Sequence, residues 1–419
     1  MESLDWVSLF KVRGAWGMSG NDRIGDYAYM ALLGTYNTSW GDKKVSGVAP
    51  SNIANEDLQW ESTKSLDFGL DLSLFKNRLQ LNFDYYVNTT DNLLFSVPIP
   101  YTTGFSSYKT NIGSIRNKGW EIDLTSHNVA GRFNWSTSLN LSRNRNKVLD
   151  MGDIKSFTSS SWDAQFITQI GGPVSQFYCY RTDGLLLPSD FDENGKALVP
   201  ILSGQEEGNV KYVDQNGDGI ISTADYVPYG NNLPDVVFGL TNRLSWNNFG
   251  LSILLQGQLG GDIMFMGSRQ YDCGNTGTNT FKRWLRSYKP DYEALYGAGE
   301  NPIPLDYLQS HGIDMSWDGE TINPKGKNDN NDDRRIYDAT YLRIKNITLG
   351  YTVPKSVLKN TILNNVRFYI SVENIKTFDG YPGFTPESNS FGNSTTMMGV
   401  DYSTYPLSRR YVFGANVVF

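Results

Sequence analysis

Alternating apolar and polar residues recur along much of this chain, and this pattern restricts its fold more than any other feature. Residues 66–74 place Leu or Phe at even positions and Asp, Gly or Ser at odd positions. The same period of two residues runs through residues 79–87, 133–141 and 366–373. Successive side chains of a β-strand point to opposite faces, so these segments predict strands with one apolar and one polar face.

Further segments complete a set of about ten predicted strands. They lie at 8–18, 120–125, 234–246, 250–263, 339–352 and 411–419. In the segment 339–352 the apolar positions change phase between Ile344 and Ile347, which predicts a β-bulge near Lys345. Residues 174–183 are a further strand candidate, and short helices are predicted at 280–288 and 354–361.

Short and long connections alternate between the predicted strands. The short ones lie at 76–78, 128–131, 247–249 and 354–364, and the long ones near 19–60, 95–112, 148–233, 264–338 and 377–406. Compact soluble domains seldom contain several connections of the longer kind. Outer-membrane barrels join their strands by short turns on one side and long loops on the other. The chain is therefore predicted to be all-β, forming an antiparallel transmembrane β-barrel.

The C-terminal residues extend this pattern to the last position. Tyr411, Phe413, Val417 and Phe419 share one apolar face of the predicted final strand. By itself this strand fits a buried core and a lipid-facing wall equally well. The alternation of short and long connections favours the lipid-facing interpretation.

Composition excludes several classes of protein. No run of 18 apolar residues exists, so transmembrane helices are not predicted, whereas an aromatic content of 13% suits the aromatic girdles of a membrane barrel. The net charge of −7, with dispersed Lys and Arg, argues against a nucleic-acid partner. Two cysteines, Cys179 and Cys273, form no disulfide framework, and the sequence leaves open whether they pair.

One polar segment has the spacing of a calcium-binding loop. Its oxygen donors at loop positions 1, 3, 5, 7, 9 and 12 are Asp214, Asn216, Asp218, the carbonyl of Ile220, Ser222 and Asp225. Gly219 occupies the position of the sharp turn, and the absence of long flanking helices predicts a structural Ca²⁺ site. The alternative is a solvated turn rich in Asp and Asn.

Catalytic motifs find little support. His127 and His311 are the only histidines, and neither lies in a triad or in metal-ligand spacing. The acidic run 328–333, followed by Arg334 and Arg335, is predicted to be a solvated loop tip, with a second ion site as the alternative. We therefore expect the chain not to be an enzyme.

Several motifs, in the same order, resemble SusC/RagA-like TonB-dependent outer-membrane transporters. They are WESTKSLDFGLD at 60–71, NIGSIRNKGWE at 111–121, VKYVDQNGDG at 210–219, YLRIKNITLGYTVP at 341–354, VRFYISVEN at 366–374 and GYPGFTPE at 380–387. The resemblance covers nearly all of residues 1–419. It implies the C-terminal part of a barrel of the 22-strand class, with about 10–12 strands and no plug domain.

The resemblance also implies a function and a location. The family imports nutrients across the outer membrane of Gram-negative bacteria of the Bacteroidetes type. Expected partners are membrane lipid, an oligosaccharide or peptide ligand, a SusD-like surface lipoprotein and TonB, which would act through an N-terminal region outside this chain. The first residues do not form a signal peptide, and we expect a fragment that does not transport alone. Tyr411, Val417 and Phe419 resemble the signal that directs barrel assembly.

Two other functions compete with import. One is a secreted all-β module that binds glycans and is stabilised by calcium. The other is a β-rich hydrolase, which would need two acids at a fixed separation in a cleft. A continuous apolar outer surface favours the barrel, whereas two facing sheets with a buried core favour the secreted module.

Overall fold

A computed structural model describes residues 5–22, 24–271, 281–288, 307, 310–312, 314, 316–323, 330–392 and 394–419. The strands of the described part are β1 (Val7–Asn21), β2 (Leu33–Trp40), β3 (Lys43–Pro50), β4 (Glu61–Leu74), β5 (Leu79–Asp91), β6 (Leu94–Pro98), β7 (Ser107–Asn111), β8 (Ser114–Val129), β9 (Phe133–Asp150), β10 (Ser156–Ser161), β11 (Ala164–Gln169), β12 (Gln176–Cys179), β13 (Thr182–Leu185), β14 (Val210–Tyr212), β15 (Val227–Tyr229), β16 (Val236–Trp246), β17 (Phe249–Leu259), β18 (Asp262–Phe265), β19 (Ile336–Asp338), β20 (Tyr341–Thr352), β21 (Asn365–Asp379), β22 (Val400–Asp401) and β23 (Arg410–Val418).

Ten long strands form one antiparallel sheet that contains the predicted strands. Its order is β1-β4-β5-β8-β9-β16-β17-β20-β21-β23, so each strand pairs with the next long strand along the chain, and β1 and β23 form the two edges. This confirms the predicted all-β antiparallel architecture. The connections 75–78, 130–132, 247–248 and 353–364 lie at the same end of the sheet, which we call the short-turn end. The opposite end, where the long connections begin and finish, is the long-loop end.

Local chemistry explains the tightest turn. Trp246 and Phe249 are directly paired, which leaves Asn247 and Asn248 as a two-residue hairpin loop. Asn247 has a φ of 50°, a left-handed conformation that asparagine tolerates better than most residues. The turn therefore fixes the register of β16 against β17.

The predicted bulge is present in β20. The pairing of β20 with β17 passes directly from Leu255–Ile344 to Leu254–Asn346, so that Lys345 is the extra residue. The pairing of β20 with β21 shifts at the same place, where Lys345 lies opposite two residues of β21, Asn374 and Ile375. A bulge moves the later side chains to the opposite phase, which explains why Ile344 and Ile347 both fall on the apolar face.

The two faces of the large sheet have opposite chemistry. One row of directly paired positions crosses nine strands on the apolar face: Val12, Leu70, Phe83, Ile122, Leu141, Phe238, Gly257, Leu342 and Phe378. Nearer the short turns, five paired aromatic residues follow one another: Phe133, Trp246, Phe249, Tyr351 and Phe368. No second sheet covers this face among the described residues, and Trp246 is 59% exposed. The arrangement contradicts the two facing sheets expected of a secreted module.

Helices are short. The α-helices with described bounds are α1 (Ser268–Tyr271) and α2 (Lys355–Leu358), and the 3-10 helices are Tyr101–Thr103, Pro188–Asp190, Thr223–Asp225, Lys282–Arg286 and Asp333–Arg335. Helical turns therefore occur within both predicted segments, 280–288 and 354–361. No helix in the described part of the chain is long and apolar enough to cross a membrane. The candidate strand 174–183 is not one continuous strand. It contains β12, which pairs with β11 and β15, and the start of β13, which pairs with β14, and both lie outside the large sheet.

Three of the long connections fold together into a compact cap at the long-loop end. They contribute a four-stranded sheet, β10-β11-β12-β15, and a three-stranded sheet, β19-β18-β22. Phe166 and Phe177 from the connection after β9, Met264 from that after β17 and Val400 from that after β21 pack in one buried cluster. We call the described residues within 151–235, 260–340 and 380–409 the loop cap, because all three segments contribute to this core.

A buried arginine fastens the loop cap to the sheet. Arg343 of β20 is 1% exposed and forms an ion pair with Glu387 of the loop cap. Its Nε donates to Thr377 Oγ1 at 2.9 Å and its Nη2 donates to Thr385 Oγ1 at 3.1 Å. Tyr341 also donates to Glu387. The sheet and the cap are therefore joined by charge-assisted hydrogen bonds.

We expect Arg343→Met to release the segment 380–409. Glu387 would lose its cation while staying two-thirds covered, which weakens the attachment by about 2–3 kcal/mol. Limited chymotrypsin digestion of the folded protein should then cut near Tyr381 and Phe384 at least tenfold faster. Lys359→Met, on an exposed turn, is the matched control. Equal digestion of the Arg343 variant and wild type would contradict the role of Arg343 in attaching the loop cap to the sheet.

Candidate functional site

The polar face of the large sheet contains an ion cluster near its first edge. Arg13 of β1 lies between Asp71 of β4 and Asp84 of β5, with Nη2–Oδ1 and Nη1–Oδ1 distances of 2.9 and 2.9 Å respectively. Gly69 makes room for it, since a Cβ there would lie 2.5 Å from Arg13 Cζ. The cluster links three strands through charges that face away from the apolar surface.

The predicted calcium loop brings its donors together around its own backbone. Asp214 accepts hydrogen bonds from the amides of Gly217 at 2.7 Å and Gly219 at 2.8 Å. Asn216 accepts from the Asp218 amide and Asp218 accepts from the Ile220 amide, both at 2.8 Å. Gly219 has a φ of 80°, as the predicted sharp turn requires.

Asp225 closes the same loop from inside the protein. It is fully buried and accepts hydrogen bonds from the amides of Gln215 at 2.9 Å and Ser222 at 2.8 Å. Among the described residues, no group of three or more His, Cys, Asp or Glu side chains has metal-binding geometry. The donor set here includes Asn, Ser and a carbonyl, which together supply the oxygen ligands that calcium prefers. Their residue types therefore match those of calcium loops, and binding of an ion here stays a prediction.

The acidic run 328–333 is not a solvated loop tip where the structure describes it. Asp332 is fully buried, accepts from the Tyr212 hydroxyl at 3.3 Å and forms an ion pair with Arg334 at 2.7 Å. The Tyr180 amide donates to Asn331 O at 3.1 Å, so this segment docks against β12. Burial beside Asp332 raises the pKa of Tyr212 far above its ordinary value. The prediction was wrong because the run packs against a distant part of the loop cap.

Cys179 and the two histidines lie on different elements of the structure. Cys179 is buried in the loop cap, and burial raises the pKa of its thiol. Cys273 lies outside the described residues, so the pairing of the two cysteines stays open. His127 lies in β8 near the short turns, whereas His311 belongs to a long connection, where its Nδ1 is 2.8 Å from Tyr307 O.

The residues predicted as the assembly signal lie on the final strand and at the terminus that follows it. Tyr411 is paired with Val372 and Val417 with Val366, and Tyr411, Val417 and Phe419 are all exposed. Phe413, between them on the same face, is 74% exposed. These positions continue the apolar surface of the sheet, and their role in assembly stays a prediction.

Sequence reasoning did not single out the arginines of the polar face. Arg343 anchors the loop cap, while Arg243 and Arg367 line a cavity near the short turns. The alternation of apolar and polar side chains along β16, β20 and β21 assigns Arg243, Arg343 and Arg367 to the polar face. Their different partners were not visible, because Glu387 lies 44 residues from Arg343 in the chain.

Comparisons with known proteins identify the family. A family model described as TonB dependent receptor-like, beta-barrel, matches residues 4–375. TonB-dependent receptor P3 of Formosa agariphila is 33% identical over 425 residues, which cover 99% of this chain and 40% of that protein. TonB-dependent receptor SusC of Bacteroides thetaiotaomicron is 27% identical over 438 residues, covering 100% of this chain and 38% of SusC.

Solved structures show the same architecture. The RagAB peptide transporter aligns with a TM-score of 0.75 at 23% identity, over 98% of this chain and 41% of the matched chain. The RagAB peptide importer in its open-open state aligns with a TM-score of 0.75 at 25% identity, over 100% of this chain and 41% of the matched chain. The chain thus spans about two-fifths of the length of the relatives that it matches. It belongs to the TonB-dependent receptor family and forms part of an outer-membrane β-barrel of the SusC and RagA type.

Proposed function

We propose that this chain forms the C-terminal part of the wall of an outer-membrane channel that imports oligosaccharides or peptides. The short-turn end faces the periplasm and the loop cap faces the outside, as in barrels with short periplasmic turns and long external loops. The polar face lines the lumen. The rest of the receptor supplies the remaining strands and the region through which TonB provides energy.

One observation carries this proposal most directly. The loop cap has its own hydrophobic core and is attached, through Arg343, to the polar face of the large sheet. The opposite face of that sheet is apolar and exposed. An ordered external structure suits selective capture of a solute better than free loops do, because its binding groups are already positioned. The names of two matched structures describe a peptide transporter and a peptide importer, which adds support for import.

We also propose that a SusD-like surface lipoprotein covers the loop cap. The cap exposes several apolar side chains at the long-loop end, among them Trp162, Leu198, Phe384 and Tyr405. Apolar residues exposed on a folded surface commonly mark a protein interface. A lid over the mouth would hold a captured solute while the channel below it opens.

Import is tested by deleting the gene for the full-length receptor and restoring it with variants of this chain. We expect wild type to restore uptake of labelled oligosaccharides or labelled peptides from defined pools. Phe177→Asp should reduce uptake at least tenfold, because it places a charge in the buried core of the loop cap. Asn194→Asp, which adds the same charge at an exposed polar position of the same cap, is the matched control and should retain uptake.

Two measurements decide the outcome of this experiment. Heat-modifiable migration of the barrel shows whether each variant still assembles in the outer membrane. Unchanged consumption of both pools after gene deletion would contradict import. Full uptake by an assembled Phe177→Asp variant would contradict a role for the loop cap.

We propose, as a separate point, that residues Asp214 to Asp225 hold a structural calcium ion. The loop follows β14 and ends at the buried Asp225, so an ion there would stabilise part of the loop cap. An affinity of about 0.1–1 mM, typical of extracellular sites, stabilises the folded loop by about 1.4–2.7 kcal/mol at 10 mM calcium.

Thermal unfolding of the purified receptor with added calcium tests this site. We expect calcium, but not an equal concentration of magnesium, to raise the melting temperature of wild type. Asp218→Ala should abolish the increase, because it removes a central ligand, while Asp183→Ala at an exposed position should keep it. The calcium site would be contradicted if calcium does not raise the melting temperature of wild type, or if it raises that of Asp218→Ala equally.

A further inference from the structure

The apolar face of the large sheet becomes basic near the long-loop end of β8 and β9. Leu124 and Ile122 of β8 pair on this face with Leu139 and Leu141 of β9. The pairing has no register shift from these positions up to Ile115, so the same alternation continues toward the long-loop end. It places five cations on this face, which we call the basic patch: Arg116, Lys118, Arg143, Arg145 and Lys147.

Two cross-strand pairs within the basic patch join side chains of like charge. Lys118 lies directly opposite Arg145, and Arg116 lies directly opposite Lys147. Directly opposite side chains of an antiparallel sheet have Cβ atoms about 4.5–5.5 Å apart, and like charges in these positions destabilise the pairing. The wall therefore carries a local repulsion that a bound anion would relieve.

The wall neutralises only part of this charge. Asp235 forms ion pairs with Arg143 and Arg145. The other three cations of the basic patch form no ion pair with a described residue. Lys64, on the same face of β4, differs from them because it pairs with Asp91 at 2.9 Å. The basic patch therefore keeps an excess of positive charge, whereas the neighbouring cation of β4 is already neutralised.

The basic patch faces the surroundings of the barrel and not its lumen. β8 and β9 are the fourth and fifth strands of the ten, and further wall strands join the sheet only at β1 and β23. The loop cap is attached to the opposite, polar face through Arg343. Neither the remaining strands of the receptor nor a plug in the lumen therefore covers these five cations.

The position of the basic patch along the strands matches the level of lipid headgroups. Tyr85 and Trp120 are directly paired, and Trp120 is also paired with Arg143, the first cation of the patch. Tyr and Trp on a lipid-facing wall mark the membrane interface. A cation on this face is costly at the middle of the membrane and costs little at its edge, where long Lys and Arg side chains extend to the headgroups.

We propose that the basic patch binds the phosphate groups of an anionic lipid in the outer leaflet. Clusters of four to eight Lys and Arg beside a membrane bind anionic headgroups. Guanidinium groups bind phosphate through two parallel hydrogen bonds, and the ammonium groups of Lys118 and Lys147 add point charges. The occupant is a lipid and not a free anion, because the cations directly continue the lipid-facing surface. The bound phosphate offsets the repulsion within both like-charged pairs and so stabilises this part of the wall.

Native mass spectrometry of the purified, delipidated full-length receptor tests this site. The probes are monophosphoryl lipid A and the same lipid after enzymatic removal of its phosphate. We expect the receptor to bind the phosphorylated lipid about tenfold more tightly, because only that lipid supplies the anion. Lys118→Gln with Lys147→Gln should abolish this difference. Lys64→Gln with Lys359→Gln, which removes the same charge outside the basic patch, is the matched control and should keep it.

Thermal unfolding of the same delipidated samples separates lipid binding from a purely structural role. Lys118→Gln with Lys147→Gln should leave the melting temperature unchanged or raise it, because each substitution removes one member of a like-charged pair. A lower melting temperature would overturn the proposal, since it would show that the two lysines stabilise the wall without lipid.

Three results of the binding experiment would also overturn the lipid site. They are equal affinity for the two lipids, an unchanged preference in the variant of Lys118 and Lys147, and displacement of the lipid by an equal concentration of inorganic phosphate. The last result would show a site for a free anion. The inference uses the proposed orientation of the wall but not the proposed import. Failure of import would appear as absent uptake by cells, while the purified receptor would still bind the phosphorylated lipid.

Discussion

Backbone hydrogen bonding between the ten long antiparallel strands is the constraint on which the rest of this structure depends. In hydrocarbon, backbone amide and carbonyl groups have no water to bond, so each interior strand must be paired on both sides. Pairing also fixes register, and a slip of one residue would turn every apolar side chain toward the lumen. The bulge at Lys345 keeps Ile347 and the later apolar residues of β20 in phase with their neighbours.

The loop cap depends on that register in turn. Arg343 reaches Glu387 only because β20 presents it on the lumen face at the long-loop end. The loop cap has a hydrophobic core, which includes Phe166 and Met264, whereas the single sheet of the wall has none of its own. Its chemistry differs from that of the wall, since the wall buries its apolar face in lipid and the cap buries its own in protein. The large sheet is therefore a lipid-facing wall, whereas the loop cap folds around a core of its own, as a globular domain does.

The strands were predictable from sequence because their signal is local. Period-two alternation identified the ten wall strands, and the phase change alone located the bulge at Lys345. The calcium-like loop also followed from local spacing, and the structure brings Asp214 and Asp225 to the same loop backbone.

The internal structure of the loop cap was not predictable in the same way. Ser159 donates to the carbonyl of Thr396, which is 237 positions away in the chain. No periodic sequence pattern predicts such a contact. Asp332 seemed solvated because its sequence neighbours are polar, yet Arg334 and Tyr212 make its burial possible. Acidic runs of this type become interior when cations and hydroxyl groups from remote segments satisfy them.

Cysteine labelling along β9 tests the central claim, that this sheet is a membrane wall with one lipid face and one lumen face. Single cysteines at Ser138, Leu139, Asn140 and Leu141 would be placed in a full-length receptor in which Cys179 and Cys273 are alanine. The account predicts that a lipid-soluble maleimide labels positions 139 and 141, and that a water-soluble maleimide labels positions 138 and 140. Labelling that does not alternate, or water-soluble labelling of all four positions, would contradict it.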